Sequence, residues 1–387
     1  MRRGTFVRWG VPIAAAAVIG AAIGAAPVIA AVSGDPALPE RSAEQLLADA
    51  AAATSKQQGI TPMSGTVQQT ASLGLPALPS TAGSATSPLS LLSGTHEVKV
   101  WYGGENKIRI AMPTQLNETN VIYNGEQTWY WDSATNTATK LTVKPGSAGK
   151  PGSAGEPRHP ELPTPQPSDL TPQQAAQRLL AHVGEHSTVR VINTAEVAGR
   201  PVYQLVLAPK DEGSLVQEVR IALDGETYVP LQVQLYAKGS AEPAYQVGFT
   251  QVTFTPPAPE NFTFTPPAGA KVKEATVGEK GFGEKAEERA EHAADMAGKA
   301  KLVGDGWTAV AVLPFSQADL QAQSGQDGGD AKALLDTVLK SATPVSGTWG
   351  SGRLIRTKLV TVLLTDDGRL LAGAVTPEEI VQAAGAR

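Results

Sequence analysis

"SLVQEVRIALDGETYVPLQVQLYAKG" (residues 214–239) contains two runs in which apolar and polar side chains alternate, with a short turn between them. Val219, Ile221 and Leu223 alternate with polar residues in the first run, and the second run repeats this pattern. Successive side chains of a β-strand point to opposite faces. The stretch therefore predicts two antiparallel strands with one apolar face and one wet face.

The same alternation extends in both directions along the chain. It recurs in residues 96–112, in residues 128–143 and in residues 187–209, and Asn124-Gly125 is a strong hairpin signal between two such runs. Few helices are available to cover so wide a sheet, so a sheet curled around its own apolar face is the economical arrangement. The expected fold is α+β: a curved, half-open antiparallel β-barrel with helices covering its concave apolar face, plus a small C-terminal α/β extension.

Strand parity predicts which side chains point inward. Two interpretations of this inward face stay open: a dry core, or an incompletely filled wall that binds an apolar ligand. The candidate ligand-binding residues are Val98, Val100, Tyr102, Ile108, Ile110, Trp129, Trp131, Leu205, Leu207, Val219, Ile221, Val233, Leu235 and Phe249. Trp129 and Trp131 are expected to point into the curled sheet, with Tyr130 on the other face.

A leucine-rich loop is the candidate lid over this face. Residues 74–94 are rich in Pro, Gly and Ser, yet they retain several leucines, for which a solvated loop has no use. The expected lid residues are Leu75, Leu78, Leu89, Leu91 and Leu92.

Two helices carry start and stop signals. Residues 41–57 begin with Ser42 and Gln45 at capping-box spacing. Residues 170–184 have Thr171 as the cap and end at Gly184. His182 and His186 have the spacing of a helical metal pair, but a helix that ends at Gly184 would separate them, so no metal site is expected.

The rest of the chain divides at changes in composition. Residues 40–272 form the expected ligand-binding domain, which contains a Pro/Gly-rich insert at 144–168 with a repeated PGSAG. The prolines of residues 254–272 are expected to end the sheet. Residues 273–303 form a charged helical spacer, and residues 304–387 form either a small second domain or the closing strands of the sheet.

Composition and motifs exclude several classes of protein. The chain of 387 residues has a formal net charge of −5 and no cysteine, which excludes disulfides and gives no support for nucleic-acid binding. No nucleophile elbow, phosphate-binding loop or dinucleotide-binding motif is present. The expectation is a protein that is not an enzyme and has no catalytic residue, metal or cofactor.

The N-terminus carries an export signal. Arg2, Arg3 and Arg8 precede an uncharged stretch at residues 11–32, which fits either a cleaved signal peptide or an N-terminal membrane anchor. Both alternatives place the rest of the chain outside the cytoplasm, secreted or anchored to the cytoplasmic membrane.

The ordered succession of segments resembles a known family. Residues 100–141, 170–183, 197–209, 219–239 and 262–272 together are similar to the LolA-like lipoprotein-carrier superfamily, and within it to an exported actinobacterial-type branch. The resemblance implies a half-open barrel whose apolar cavity binds lipid or lipoprotein acyl chains without catalysis. The C-terminal residues are also reminiscent of RseB-like regulators, which implies an alternative role in envelope-stress signalling with a membrane-embedded anti-sigma factor as partner. A third alternative is a structural envelope protein with a filled core.

Overall fold

The structure of the chain is a computed structural model. It describes residues 38–56, 61–74, 93–104, 106–114, 116–125, 127–143, 172–277, 299–315 and 340–386. The expected signal or anchor, the lid leucines, the 144–168 insert and Thr171 lie outside the described residues. None of the helices that the structure describes is long and apolar enough to cross a membrane.

Strands dominate the described residues, with three α-helices among them. The helices are α1 (Ala43–Lys56), α2 (Pro172–His186) and α3 (Pro377–Gly385). The first twelve strands are β1 (Met63–Ser72), β2 (Ser93–Tyr102), β3 (Ile108–Pro113), β4 (Glu118–Tyr123), β5 (Thr128–Asp132), β6 (Thr137–Val143), β7 (Ser187–Val197), β8 (Arg200–Pro209), β9 (Val216–Asp224), β10 (Pro230–Ala237), β11 (Pro243–Thr253) and β12 (Lys271–Val277). The last six are β13 (Lys301–Val303), β14 (Val310–Pro314), β15 (Thr343–Gly347), β16 (Gly350–Arg356), β17 (Thr361–Thr365) and β18 (Arg369–Gly373).

The first twelve strands form one large sheet in the order β12-β6-β5-β4-β3-β2-β1-β11-β10-β9-β8-β7. All neighbours in it are antiparallel except β12, which pairs parallel with β6. The expectation that the prolines of residues 254–272 end the sheet is therefore wrong, because the chain crosses back and adds one more strand. The described residues leave β12 and β7 as the two edges, so the sheet is not closed into a barrel.

One end of this sheet is curved. β7 and β11 come into contact although three strands lie between them, a spacing of about 19 Å in a flat sheet. The Arg200 guanidinium of β8 also lies 4.9 Å from the centre of the Phe254 ring, just beyond the end of β11. These contacts require the β7–β11 part of the sheet to bend.

The first two helices lie together beside this part of the sheet. Ser42 and Gln45 form the predicted capping box, with the Gln45 amide donating to Ser42 Oγ at 3.1 Å and the Ser42 amide donating to Gln45 Oε1 at 3.0 Å. The Gln177 side chain of α2 donates to Glu44 of α1 at 2.6 Å. The expectation that α2 ends at Gly184 is wrong, because the helix continues to His186.

Residues 301–373 contribute strands to a second sheet. Its order is β13-β14-β18-β17-β16-β15, so these strands do not close the large sheet. A hairpin turn joins β17 and β18, and Gly368 in it has a φ of 88°. Thr376 caps α3 as expected for a threonine before a proline and two glutamates, and Ile380 of α3 is fully buried in the core of this unit.

Main-chain hydrogen bonds join the second sheet to one end of the large sheet. The Leu215 amide donates to the Ala374 carbonyl at 2.7 Å, and the Lys358 amide donates to the Leu73 carbonyl at 2.8 Å. Leu359 is buried between them in a cluster with Val216 and Ala237 of the large sheet. Main-chain hydrogen bonds and apolar packing therefore both attach the second sheet to this end of the large sheet.

A buried carboxylate organises the turn between β9 and β10. The Asp224 side chain is fully buried and accepts hydrogen bonds from the Arg200 guanidinium and from the amide and hydroxyl of Thr227 at 2.8 and 2.9 Å. Burial alone would raise the pKa of Asp224, but the hydrogen bonds from Arg200 and Thr227 outweigh it and lower the pKa below its usual value. The ionised carboxylate therefore stabilises the fold.

We expect Asp224→Asn to lower the free energy of unfolding by about 2–4 kcal/mol at neutral pH, because it removes a buried charge from a bonded arginine. Urea denaturation measures this. Glu226→Gln is the matched control: Glu226 contacts the same Arg200 but is 80% exposed, so the change is expected below about 1 kcal/mol.

The same pair of variants tests the effect of pH. A lowered pKa in the folded state contributes stability above the unfolded-state pKa of about 3.9, and this contribution is lost as the pH falls through the folded-state value. Unfolding free energy should therefore fall more steeply below about pH 4 in the native protein than in Asp224→Asn. Parallel acid dependence in the two proteins would contradict this role of Asp224.

Candidate functional site

Cross-strand pairing sorts the side chains of the large sheet into two faces, since directly paired residues point to the same side. The face that contains the β8–β11 aliphatic residues is here called the apolar face. Pairing from β8 to β11 runs Leu205–Ile221–Val233–Val247. Pairing from β11 to β2 runs Phe249–Val67–Val98, and from β2 to β6 it runs Val100–Ile110–Val121–Tyr130–Thr139.

All predicted ligand-binding residues except the two tryptophans lie on the apolar face. The expectation for Trp129 and Trp131 is wrong, because Val121 pairs with Tyr130 and Ile122 pairs with Trp129. Tyr130 therefore lies on the apolar face, and both tryptophans lie on the opposite face. Residues 129–131 are three aromatic residues in a row, so the alternation within β5 does not show which of them point to the apolar face, and only the pairing with β4 decides it.

The two tryptophans hold down the segment that crosses back to β12. This crossover segment (residues 254–270) places the ring of Phe264 5.4 Å from Trp129 and 5.9 Å from Trp131. Phe262 in the same segment is buried and lies against Gly103, where any Cβ would be only 2.9 Å from its ring. The crossover segment therefore covers the opposite face of the sheet and fills the position that a stacking ligand would take.

Helix α1 covers one part of the apolar face. Leu46 is fully buried and packs in a cluster with Tyr203, Leu205 and Leu223. This part of the face is a dry core. The predicted residues Leu205, Leu207 and Ile221 are therefore packing residues in this structure.

The β2–β4 part of the apolar face has no described helix over it. Ile108, Ile110 and Val121 are half-buried there, and Val100 and Met112 pack beside them against the buried Val98. No element in the described residues other than the sheet itself contributes to this small cluster. Val100 and Ile108 also pack against the buried core of Val67, Tyr102 and Phe249, so Ile110, Met112 and Val121 are the aliphatic residues of β3 and β4 over which no described helix packs.

Charge is distributed unequally between the two faces. Within the described residues, β1 to β11 place no lysine or arginine on the apolar face, and in β2–β6 the cations Lys99, Arg109 and Lys140 all pair on the opposite face. Asp132 is the acidic residue on the apolar face of β2–β6, and its oxygens accept from the Ala134 amide and the Thr135 hydroxyl, each at 2.9 Å. An apolar chain on this face would meet no unpaired cation.

Tyr130 is a site residue that parity reasoning missed. It follows Val121 in the pairing across the apolar face and precedes Thr139, so it marks the change from aliphatic to hydroxyl side chains. Burial, followed by the nearby Asp132 carboxylate, raises the pKa of Tyr130. Its phenol therefore stays protonated, and can donate a hydrogen bond, throughout the neutral range.

Two shallow pockets in the described residues lie away from the aliphatic surface of β2–β4. One, of about 400 Å³, lies on the β15–β16 hairpin beside Arg353 and Asp366. The other, of about 440 Å³, lies between the start of α1 and Asn193 of β7. No group of three or more metal-ligating side chains occurs in the part of the chain that the structure describes, and His186 contacts Asp305 of the second unit at 4.0 Å.

No family model and no curated protein matches the chain. Among solved structures, it is similar to MucB in the MucA/MucB complex of Pseudomonas aeruginosa, at 15% identity over 87% of this chain and 96% of that chain, with a TM-score of 0.38. It is also similar to a putative outer membrane lipoprotein-sorting protein domain from Vibrio parahaemolyticus, at 12% identity over 57% of this chain and 97% of that one, with a TM-score of 0.20. A LolA superfamily protein from Nitrosomonas europaea gives 11% identity over 58% and 99% of the two chains and a TM-score of 0.20. TM-scores this low do not support a functional assignment.

We expect Phe264→Ala to loosen the crossover segment, because the ring of Phe264 bridges both tryptophans. Amides of β12 should exchange faster with solvent, and unfolding free energy should fall by about 1–3 kcal/mol, less than for a fully buried phenylalanine. Hydrogen exchange by mass spectrometry measures the first effect. Unchanged protection of β12 would show that the aromatic contact does not hold the strand.

Proposed function

We propose that the chain is an extracytoplasmic, non-enzymatic carrier or sensor that binds lipid or lipoprotein acyl chains on the apolar face of its large sheet. The observation that carries the proposal is the half-buried aliphatic surface of β2–β4, over which no described helix packs and which carries no cation. The proposal includes the finer expectations from sequence: a half-open barrel with a helix-covered concave face, a leucine-rich lid over residues 74–94, and export by the N-terminal segment.

The size of the surface is adequate for useful binding. Val100, Ile110, Val121 and Tyr130 lie on four successive strands, a span of about 14 Å. About ten methylenes laid along it would contribute about 8 kcal/mol at ~0.8 kcal/mol each. That gain lies within the range of the association cost of about 4–15 kcal/mol, so one apolar chain is the shortest ligand the surface would hold and a head-group contact would add to its affinity.

The proposal contains no catalytic step. The carboxylates with lowered pKa values and substantial burial are Asp224 and Glu218, and both are bonded to arginines. Glu218 accepts from Arg190 at 2.9 Å and from Arg220 at 2.6 Å, on the face opposite the proposed ligand. Ion pairs of this kind support structural roles for the two acids.

We expect Ile110→Asp to abolish uptake of acyl probes, because it places a charge in the middle of the aliphatic surface. The purified protein would be titrated with N-phenyl-1-naphthylamine, a neutral fluorescent apolar probe, and its lipid extract would be examined by mass spectrometry. A tenfold or larger loss of probe affinity in Ile110→Asp is the expected result, and Ile110→Ala should give a smaller loss if the aspartate variant folds poorly.

Lys99→Asp is the matched control, since Lys99 lies exposed on β2 and points to the opposite face. It should retain native affinity. Equal binding by all the variants, or no probe binding and no extracted lipid in the native protein, would contradict the proposal and favour a structural protein with a filled core.

A second proposed function is regulation of a membrane-embedded anti-sigma factor. The separate six-stranded sheet, bonded to one end of the large sheet, would give such a partner a second surface to bind. A pull-down from membranes with the full chain tests this alternative. Recovery of an anti-sigma factor would support the sensor role, and recovery of lipid alone would favour carriage.

A further inference from the structure

Two lysines lie where the apolar face reaches the β12 edge of the sheet. β12 pairs parallel with β6, so that Lys271 is opposite Thr137 and Lys273 is opposite Thr139. Paired residues share a face in a parallel sheet as well, which places both lysines on the apolar face. Both are exposed, and they are the first cations on this face after eleven strands without one.

Side chains change character in order along one row that leads to this edge. The row is aliphatic on three strands, then carries hydroxyls on two, and ends in an ammonium group: Val100, Ile110, Val121, Tyr130, Thr139, Lys273. Five strand spacings make the row about 24 Å long. Thr139 is buried, whereas the other five side chains are half-buried or exposed, and both the length and the polarity of the row match a single extended amphiphile.

The described residues give neither ammonium group a counter-charge. Within the described residues no carboxylate lies at ion-pair distance from Lys271 or Lys273. Glu274, the nearest acid along β12, pairs with Lys140 and therefore lies on the opposite face. Asp132 shares the apolar face, but its two oxygens accept hydrogen bonds within its own turn.

We propose that Lys271 and Lys273 bind the anionic head group of the amphiphile whose chain lies on the aliphatic surface of β2–β4. The head group is a phosphate or a carboxylate, and Tyr130 donates a hydrogen bond to the oxygen at the junction of head and chain. This inference rests on the proposed function and adds the chemical class of the ligand to it.

Edge strands carry lysines for another reason, because a charge on an edge prevents pairing with other chains. Lysines with that role alone would not distinguish an anionic amphiphile from a neutral one of the same chain length. Selectivity between head groups therefore separates the two roles.

The test compares dodecyl phosphate, laurate and monolaurin as competitors of the neutral fluorescent probe at neutral pH, on the full chain. The native protein should bind the two anions more tightly than monolaurin. The double variant Lys271→Glu/Lys273→Glu should weaken binding of the anions about five-fold or more and leave monolaurin within a factor of two, as expected for exposed charge pairs. Added salt should reduce the preference of the native protein in the same direction.

Lys99→Glu makes the same charge change on the opposite face and should leave every affinity unchanged. Equal affinity for anionic and neutral competitors, or the same loss for all three in the double variant, would overturn the head-group site. If the head-group site is overturned in this way but Ile110→Asp still loses all binding, the proposed function is retained and only the head-group site is rejected. No binding of any amphiphile by the native protein would overturn both.

Vesicles distinguish the source of the anion. If the native protein co-sediments with phosphatidylglycerol vesicles and not with phosphatidylcholine vesicles, and the double variant loses this co-sedimentation, the lysines bind phosphates of lipids in a bilayer. In that case the native protein should bind the anionic and the neutral competitors in solution with equal affinity. Preference in solution without vesicle binding would assign the lysines to a single bound amphiphile.

Discussion

Hydrogen-bond register between β4 and β5 is the constraint on which the two faces of the large sheet depend. It sets Val121 opposite Tyr130 and Ile122 opposite Trp129. A shift of one residue would move every side chain of β5 to the other face. Trp131 would then lie beside Ile110 and Val121 instead of under Phe264, and the crossover segment would lose both of its aromatic contacts.

The opposite face therefore determines what the apolar face can present. Because Trp129 and Trp131 hold the crossover segment, the chain after β11 reaches the far edge of the sheet and pairs there with β6. That pairing brings the lysines of β12 to the margin of the apolar face. Aromatic packing on the opposite face thus positions the two lysines on the apolar face, because both depend on the pairing of β12 with β6.

Alternation and capping were sufficient to predict much of the fold from the sequence. The capping box of Ser42 and the alternation within β2, β3 and β9 follow from local rules that need no partner. Predictions failed where a distant segment decided the outcome. Helix α2 continues through Gly184 to His186, and β7 begins directly after it. The prolines of the crossover segment are followed by β12, whose partner strand β6 lies more than a hundred residues earlier in the chain.

Prediction of the candidate site from sequence was limited in the same way, by segments that are distant in the chain. Parity placed most of the aliphatic residues on one face because their strands alternate with polar residues; in β8 the alternate residues Val202 and Val206 are themselves buried, and only pairing with β9 settles the face of Leu205. Parity could not place Trp129, since Tyr130 and Trp131 after it are aromatic too. It also could not reveal that helix α1 covers Leu205 and that no described helix packs on Ile110. Which part of an apolar face is core and which part is available depends on what packs over it. That is a property of the tertiary arrangement: α1 covers the β7–β9 part of the apolar face, and the mutual packing of Val67, Val247 and Phe249 fills the β11–β1 part, which leaves β2–β6 for the proposed ligand.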